Sequence, residues 1–247
     1  MLKTVVIIGG SRGIGLEITK TFLDNNYLVI TGSRTAPKIK HNNLYFFSLD
    51  VRKESNFQTF FKSIQNITKV VNVLINNTGL SEWKKIEDIN LKFLNKMYET
   101  NVYYLYWSCK YALKLFPKKK SKIINISSLA GKRGSKNNSV YSATKFAVNG
   151  ITQSLAKELG NRSILVNAIC PVLIETPGLV YALKQKDSPA SGKNINKFLS
   201  SFKKLNSANN QLPTSKDIAD FALFLASDLN NSITGQCINV DCGVLPQ

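Results

Sequence analysis

Tyr141 and Lys145 stand four residues apart in Tyr141-Ser-Ala-Thr-Lys145, and Ser128 stands thirteen residues before the tyrosine. On a helix that four-residue spacing puts phenol and amine on one face, about one turn apart. An ammonium beside a phenol favours the phenolate, so the spacing predicts a tyrosine pulled from about 10 towards the neutral range, where it can exchange protons with a substrate. Asn101 and Ser128 precede this pair in the chain. A second chemical feature lies near the N-terminus, where Gly9-Gly-Ser11-Arg12-Gly13-Ile14-Gly15 follows an apolar run. Between a strand and a helix, such a turn lets a diphosphate approach the backbone and accept hydrogen bonds from the helix N-terminal N–H groups.

Tyr-x-x-x-Lys and a glycine-rich turn are each common alone. Their order carries the weight: the turn after the first strand, then Asn76-Asn77-Thr78-Gly79, Asn101, Ser128 and the Tyr141/Lys145 pair. These residues must be positioned by short β-branched runs. The pattern predicts strands at Lys3 to Ile8, Leu28 to Gly32, Leu44 to Leu49, Val71 to Asn76, Lys122 to Ser127, Leu165 to Ile169 and Cys237 to Val240. Helix-compatible stretches lie between them at Ile14 to Asn25, Ser55 to Ile67, Phe93 to Phe116, Tyr141 to Gly160 and Ser215 to Ala226. Alternation of this kind implies an α/β fold, a doubly wound parallel sheet with helices on both faces, and 247 residues suit one domain, 1–247. Pro177 to Pro213 breaks the rhythm with weakly amphipathic pieces at Leu179 to Leu183 and Phe198 to Leu205, and is read as a substrate lid over 177–213.

Cofactor choice is read at the end of the second strand, Thr31-Gly32-Ser33-Arg34, which carries no carboxylate. Arg34 and Arg12 supply guanidinium donors suited to a 2′-phosphate, which predicts NADP(H) over NAD(H). Asp50 is a candidate acceptor for the adenine amino group, with a helix N-cap as its alternative role, and Val51 offers a backbone contact beside it. Asn77 and Gly79 close the fourth strand at the ligand-binding edge.

Composition excludes some classes. No apolar run approaches the length of a membrane span, and the start reads as a strand, not as a signal peptide. Cys109, Cys170, Cys237 and Cys242 lack metal-ligand or redox spacing, which fits reduced thiols, a cytoplasmic setting and no metal. The only histidine, His41, lies far in sequence from Ser128, which disfavours a hydrolase. The net charge of +18 is spread among many asparagines, and its one dense run, Lys118-Lys119-Lys120 with Lys122, is placed in a loop before a strand. It is read as a solvated surface, because no motif of a nucleic-acid-binding fold accompanies it.

Taken in order, these residues resemble the short-chain dehydrogenase/reductase family over essentially the whole chain. The resemblance implies a Rossmann-type fold, nicotinamide chemistry, and a homotetramer or homodimer. It makes Tyr141 the acid-base residue, Lys145 its electrostatic partner and a ribose ligand, Ser128 the residue that polarises a carbonyl, and Asn101 the holder of a relay water. Ser127 then points away from the site and is structural. Pro171, Ile174 and Thr176 match the stretch that contacts the carboxamide and diphosphate.

The pattern is closest to 3-oxoacyl-[acyl-carrier-protein] reductase-like members, so a 3-oxoacyl thioester, free or carrier-bound, is the first expected substrate. A sugar, polyol or secondary metabolite is the alternative, and a non-catalytic nucleotide-binding regulator is an alternative of another class. Four departures stand out: Ile8 for threonine, Thr78 for alanine, Val172 after Pro171, and Cys242 between Asp241 and Gly243. Thr78 is expected to restore a hydrogen bond lost at Ile8, Val172 to alter backbone approach near the nicotinamide, and Cys242 to affect a subunit interface.

Overall fold

A computed structural model describes residues 2–118 and 120–246. Seven strands, β1 (Thr4–Ile8), β2 (Leu28–Ser33), β3 (Leu44–Ser48), β4 (Val73–Asn76), β5 (Ser121–Ile126), β6 (Ile164–Pro171) and β7 (Cys237–Val240), form one sheet in the order β3-β2-β1-β4-β5-β6-β7. Every neighbouring pair is parallel. The strand runs expected from the sequence are all present, with ends differing by a residue or two.

Strand alternation divides the core. Val5 and Ile7 of β1 pack on one face with Ile18 and Phe22 of α1 (Gly13–Asp24) and Ile218 of α8 (Ser215–Ala226). Val6 and Ile8 pack on the other with Phe57 of α2 (Glu54–Ile64), Leu105 of α4 (Tyr104–Ala112) and Val148 of α5 (Ser139–Leu159). A fully buried side chain of this size contributes about 1.5–3 kcal/mol, so the two clusters fix the sheet between its helix layers. Chain order reverses between β1 and β4, and the crevice above their carboxyl ends is where ligands bind in such sheets.

Three elements differ from the sequence reading. The single helix expected from Phe93 to Phe116 is instead α3 (Leu91–Tyr98), a π-helical turn at Glu99–Tyr103, and α4. Asn90 caps α3 by accepting from Phe93 N–H, and Asn101 lies inside the π turn with its side chain turned to Leu80. The segment read as irregular holds α6 (Pro177–Leu183) and α7 (Ile195–Asn206). Both pack with Trp83 in a small cluster of their own. In the basic run, Lys122 is not a solvated surface charge: at the start of the expected strand, as the second residue of β5, it is buried with its amine donating to the Asn230 carbonyl, while Lys119 lies outside the described residues.

Candidate active site

The glycine-rich turn is secured from its sides. Gly10 N–H donates to Thr31 Oγ1 at 3.0 Å, Thr31 donates to the Ile7 carbonyl at 3.1 Å, and Thr19 donates to the Gly10 carbonyl at 2.9 Å. Asn77 Nδ2 donates to the Gly9 carbonyl at 2.8 Å, so the end of β4 is tied to the turn. Gly9 adopts φ +92°, and a Cβ on Gly15 would stand 2.0 Å from the Gly9 carbonyl oxygen, so both positions require glycine. Arg12 precedes α1 in extended conformation and offers no side-chain cap. The first-turn N–H groups are therefore left for an anion, and the cradle fits a diphosphate.

Thr78 Oγ1 lies against Gly9, where a Cβ would meet it at 2.6 Å, yet it makes no hydrogen bond among the described residues. The hydrogen bond expected of Thr78 is therefore not made, and the hydroxyls that hold the turn are those of Thr31 and Thr19. Gly13 faces Thr176, whose methyl would lie 3.4 Å from an added Cβ, and Thr176 Oγ1 caps α6 by accepting from Leu179 N–H at 3.2 Å.

A cavity of about 1060 Å³ runs along this crevice. Arg12, Ile14, Arg34 and Asn77 line one end, and Leu80, Trp83, Val172, Leu179, Phe198 and Phe202 line the other. Pro171, Ile174 and Thr176 border it between these ends. Arg12 and Arg34 are exposed and form no ion pair among the described residues. Asp50 and Val51 do not line the cavity. Asp50 accepts from Arg52 Nε at 2.9 Å and Nη2 at 2.5 Å, and this hydrogen-bonded guanidinium holds its carboxyl down at about 2. Nor is Asp50 a helix cap, since α2 begins after Lys53. Val51 buries its side chain in the core beneath α2.

The proton-transfer residues meet mid-cavity. Ser128 follows β5 and caps a 3-10 turn, Leu129–Gly131, by accepting from Ala130 N–H at 3.1 Å, and its hydroxyl is near enough to Tyr141 to favour the phenolate. The side chain of Ser127 turns away, buried, and donates to the Lys145 carbonyl at 3.3 Å. Lys145 is 3% exposed, and its Nζ donates to the Ile126 carbonyl at 2.9 Å while lying 5.8 Å from the Tyr141 ring centroid.

This geometry reverses the expected direction of the tyrosine shift. Burial pushes Tyr141 up to about 12, against a smaller lowering by the Ser128 hydrogen bond, and burial pulls Lys145 down to about 8. The amine is engaged with a carbonyl and stands over the ring, not at the hydroxyl, so desolvation prevails over charge attraction.

Asn101, 1% exposed, accepts from Leu80 N–H at 2.7 Å and donates to the Leu80 carbonyl at 2.9 Å and to Thr144 Oγ1 at 3.1 Å. Its carboxamide is committed to the loop after β4, a constraint that accompanies the π turn. A Cβ on Gly79 would lie 3.5 Å from Lys145 Nζ and 3.9 Å from Asn101 Oδ1, which places both groups around one point of the cavity. Thr144 was not foreseen: its hydroxyl donates to the Tyr141 carbonyl at 2.7 Å and accepts from Asn101, joining two members of the set. Its position three residues after Tyr141, on the same helix face, was the available signal. Trp83 was also missed, since a lone tryptophan in a loop has no periodicity to mark it.

A doubly wound parallel sheet with a diphosphate cradle at its switch point and a tyrosine–lysine pair beside it defines a class of nicotinamide-dependent oxidoreductases. The family model for short chain dehydrogenases matches residues 3–187, and the chain belongs to that family of NAD(P)-dependent oxidoreductases. It is 30% identical to L-2,3-butanediol dehydrogenase of Corynebacterium glutamicum, over 99% of both chains, and 29% identical to a 3-oxoacyl-[acyl-carrier-protein] reductase of Chlamydia trachomatis, over 98% of this chain and 97% of that one. Among solved structures, ElxO with NADP bound superposes with a TM-score of 0.88 at 32% identity over 100% of both chains. Aldohexose dehydrogenase of Thermoplasma acidophilum gives 0.90 at 28% identity, over 98% of this chain and 94% of that one.

Proposed function

We propose that the protein reduces a substrate carbonyl with NADPH and that Tyr141 donates the proton. The observation that carries this reading is Tyr141 beside Ser128 and Lys145 in one cavity that Arg12 and Arg34 also line, neither arginine being in an ion pair among the described residues. The dinucleotide would be held by Gly9, Ser11, Arg12, Gly13, Ile14 and Gly15 at its diphosphate. Arg34 would bind its 2′-phosphate. Asn77, Gly79, Tyr141, Lys145, Pro171, Ile174 and Thr176 would line its nicotinamide half.

Bound there, the reduced nicotinamide supplies a hydride to the carbonyl carbon. Tyr141 gives its phenolic proton to the carbonyl oxygen, and Ser128 donates a hydrogen bond to the same oxygen as negative charge develops. Lys145 stabilises the phenolate that remains, and Asn101 fixes the Gly79–Leu80 backbone and Thr144 around Lys145 Nζ. Support for NADPH comes from Arg12, Arg34 and the absence of a carboxylate after β2, and from the NADP bound in ElxO.

A 3-oxoacyl thioester is the first substrate class. The chamber beyond Tyr141 has apolar walls at Leu80, Trp83, Val172, Leu179, Phe198 and Phe202, and two carboxylates on its lining, Glu82, paired with Lys96 at 2.5 Å, and Asp187. Those apolar walls suit an acyl chain, and the +18 charge would draw an acidic carrier. Sugar or diol oxidation is the second reading, favoured by the names of two relatives.

The segment 177–213 serves as the lid, since α6 and α7 supply three of those walls. Exposed Tyr103, Tyr106 and Phe146 on the π turn, α4 and α5 support a homodimer or homotetramer. No helix among the described residues is long and apolar enough to cross a membrane, and four free thiols fit a cytoplasmic setting. Steady-state rates with NADPH and NADH on a 3-oxoacyl thioester, a simple ketone and an aldohexose test the reading. NADPH-dependent thioester reduction is expected; dinucleotide binding without turnover on any of them points to the non-catalytic regulator.

A further inference from the structure

Ser128 and Tyr141 sit on different elements, and catalysis needs their hydroxyls held within a fraction of an ångström. The turn that carries Ser128 is short and lies against α5 at a second point. Asn149 follows Lys145 by four residues, on the face that presents Tyr141 and Lys145, and is 8% exposed. Its Nδ2 donates to the Gly131 carbonyl at 2.9 Å, at the far end of the Ser128 turn. Its Oδ1 accepts from the Cys170 thiol at 3.8 Å, and Cys170 packs in one buried cluster with Leu129 of the same turn. One carboxamide thus reaches the turn twice, directly at Gly131 and through Cys170 at Leu129. The contact admits no slack: a Cβ on Gly131 would stand 2.6 Å from the Lys145 carbonyl oxygen and 3.0 Å from Asn149 Nδ2.

We infer that Asn149 is a positioning residue that clamps the Ser128 turn to the helix bearing Tyr141 and Lys145, and so sets the Ser128–Tyr141 alignment used in turnover. The inference rests on the proposed roles of Ser128 and Tyr141. A packing role would lower turnover with or without the Ser128 hydroxyl, whereas a positioning role acts only where that hydroxyl is present.

A double-mutant cycle reads that difference. Asn149→Leu keeps the volume and removes both hydrogen-bonding arms; its kcat is expected to fall 10- to 100-fold in the otherwise native protein, with the NADPH dissociation constant within twofold. In a Ser128→Ala background the same substitution is expected to change kcat by less than twofold. The apparent pKa of the alkaline limb in kcat/KM, where the proton donor is lost, should move to that of Ser128→Ala. Gly131→Ala, which pushes the turn off the Lys145 carbonyl, should give the same pattern and stands in where Asn149→Leu does not fold. Equal losses in both backgrounds, or native kcat in folded Asn149→Leu, overturn the clamp. Full turnover by Ser128→Ala alone removes the assigned role of Ser128 and the clamp with it, which separates the two failures.

Discussion

Replacing Lys145 with methionine should make the ligand-free protein's stability less dependent on pH, in a direction set by burial. Burial holds the Lys145 amine at about 8, against 10.5 for an unperturbed lysine. That difference corresponds to about 3 kcal/mol. Below pH 8 the folded and unfolded chains both carry the charge, and the native state bears its full desolvation cost. Between about 8 and 10.5 the folded protein has lost a proton that the unfolded chain still binds, so stability rises with pH through this window.

Lys145→Met removes that dependence. The stability of the variant relative to the native protein should therefore decline by about 2–3 kcal/mol between pH 7 and pH 10. The Ile126 carbonyl orphaned by the substitution adds a cost of about 1–3 kcal/mol, but that cost is common to both pH values and cancels in the comparison. Tyr141, pushed up to about 12, and the neighbouring Cys170 thiol are present in both proteins and largely cancel as well. Urea unfolding at matched protein concentration, at pH 7, 8, 9 and 10, measures the difference. Parallel curves for the two proteins across that range would refute the buried-amine argument.

Other substitutions read separate parts of the structure. Arg34→Ser should weaken NADPH binding by about 10- to 100-fold, the loss of one or two charge-assisted hydrogen bonds, and leave NADH within twofold by fluorescence titration. Cys242 holds a left-handed backbone at φ 55°, so Cys242→Gly should raise stability by about 1 kcal/mol in thermal melts. Thr31→Val, which strips the hydroxyl linking Gly10 N–H to the Ile7 carbonyl, should cost about 1–3 kcal/mol, whereas Thr78→Ala should stay within about 0.5 kcal/mol.

The sheet was legible because its strands are apolar runs buried on both faces, and nothing local competes with them at Val5-Val6-Ile7-Ile8 or Ile123-Ile124. The order of Gly9, Asn101, Ser128, Tyr141 and Lys145 was legible for a different reason, since each must occupy a strand end or a helix face that the alternation fixes. What was hidden depends on contacts between distant segments. The π turn accompanies the reach of Asn101 to Leu80, a partner no helical periodicity shows. Spacing put Lys145 on the face of Tyr141 but could not show that its amine would engage the Ile126 carbonyl, and that choice reversed the tyrosine shift. Asp50 was read as open to ligand because Arg52, two residues on, gives no sign in sequence that it folds back onto the carboxylate. The role of Asn149 was invisible because it bonds to Gly131 and Cys170 on separate elements.

The central claim is that the Tyr141 hydroxyl delivers the proton in carbonyl reduction. Tyr141→Phe removes that single atom, and the measurement is its NADPH-dependent turnover beside its NADPH dissociation constant. A fall in kcat of about 10²–10⁴ with binding within twofold is predicted. Turnover equal to the native protein's would contradict the account.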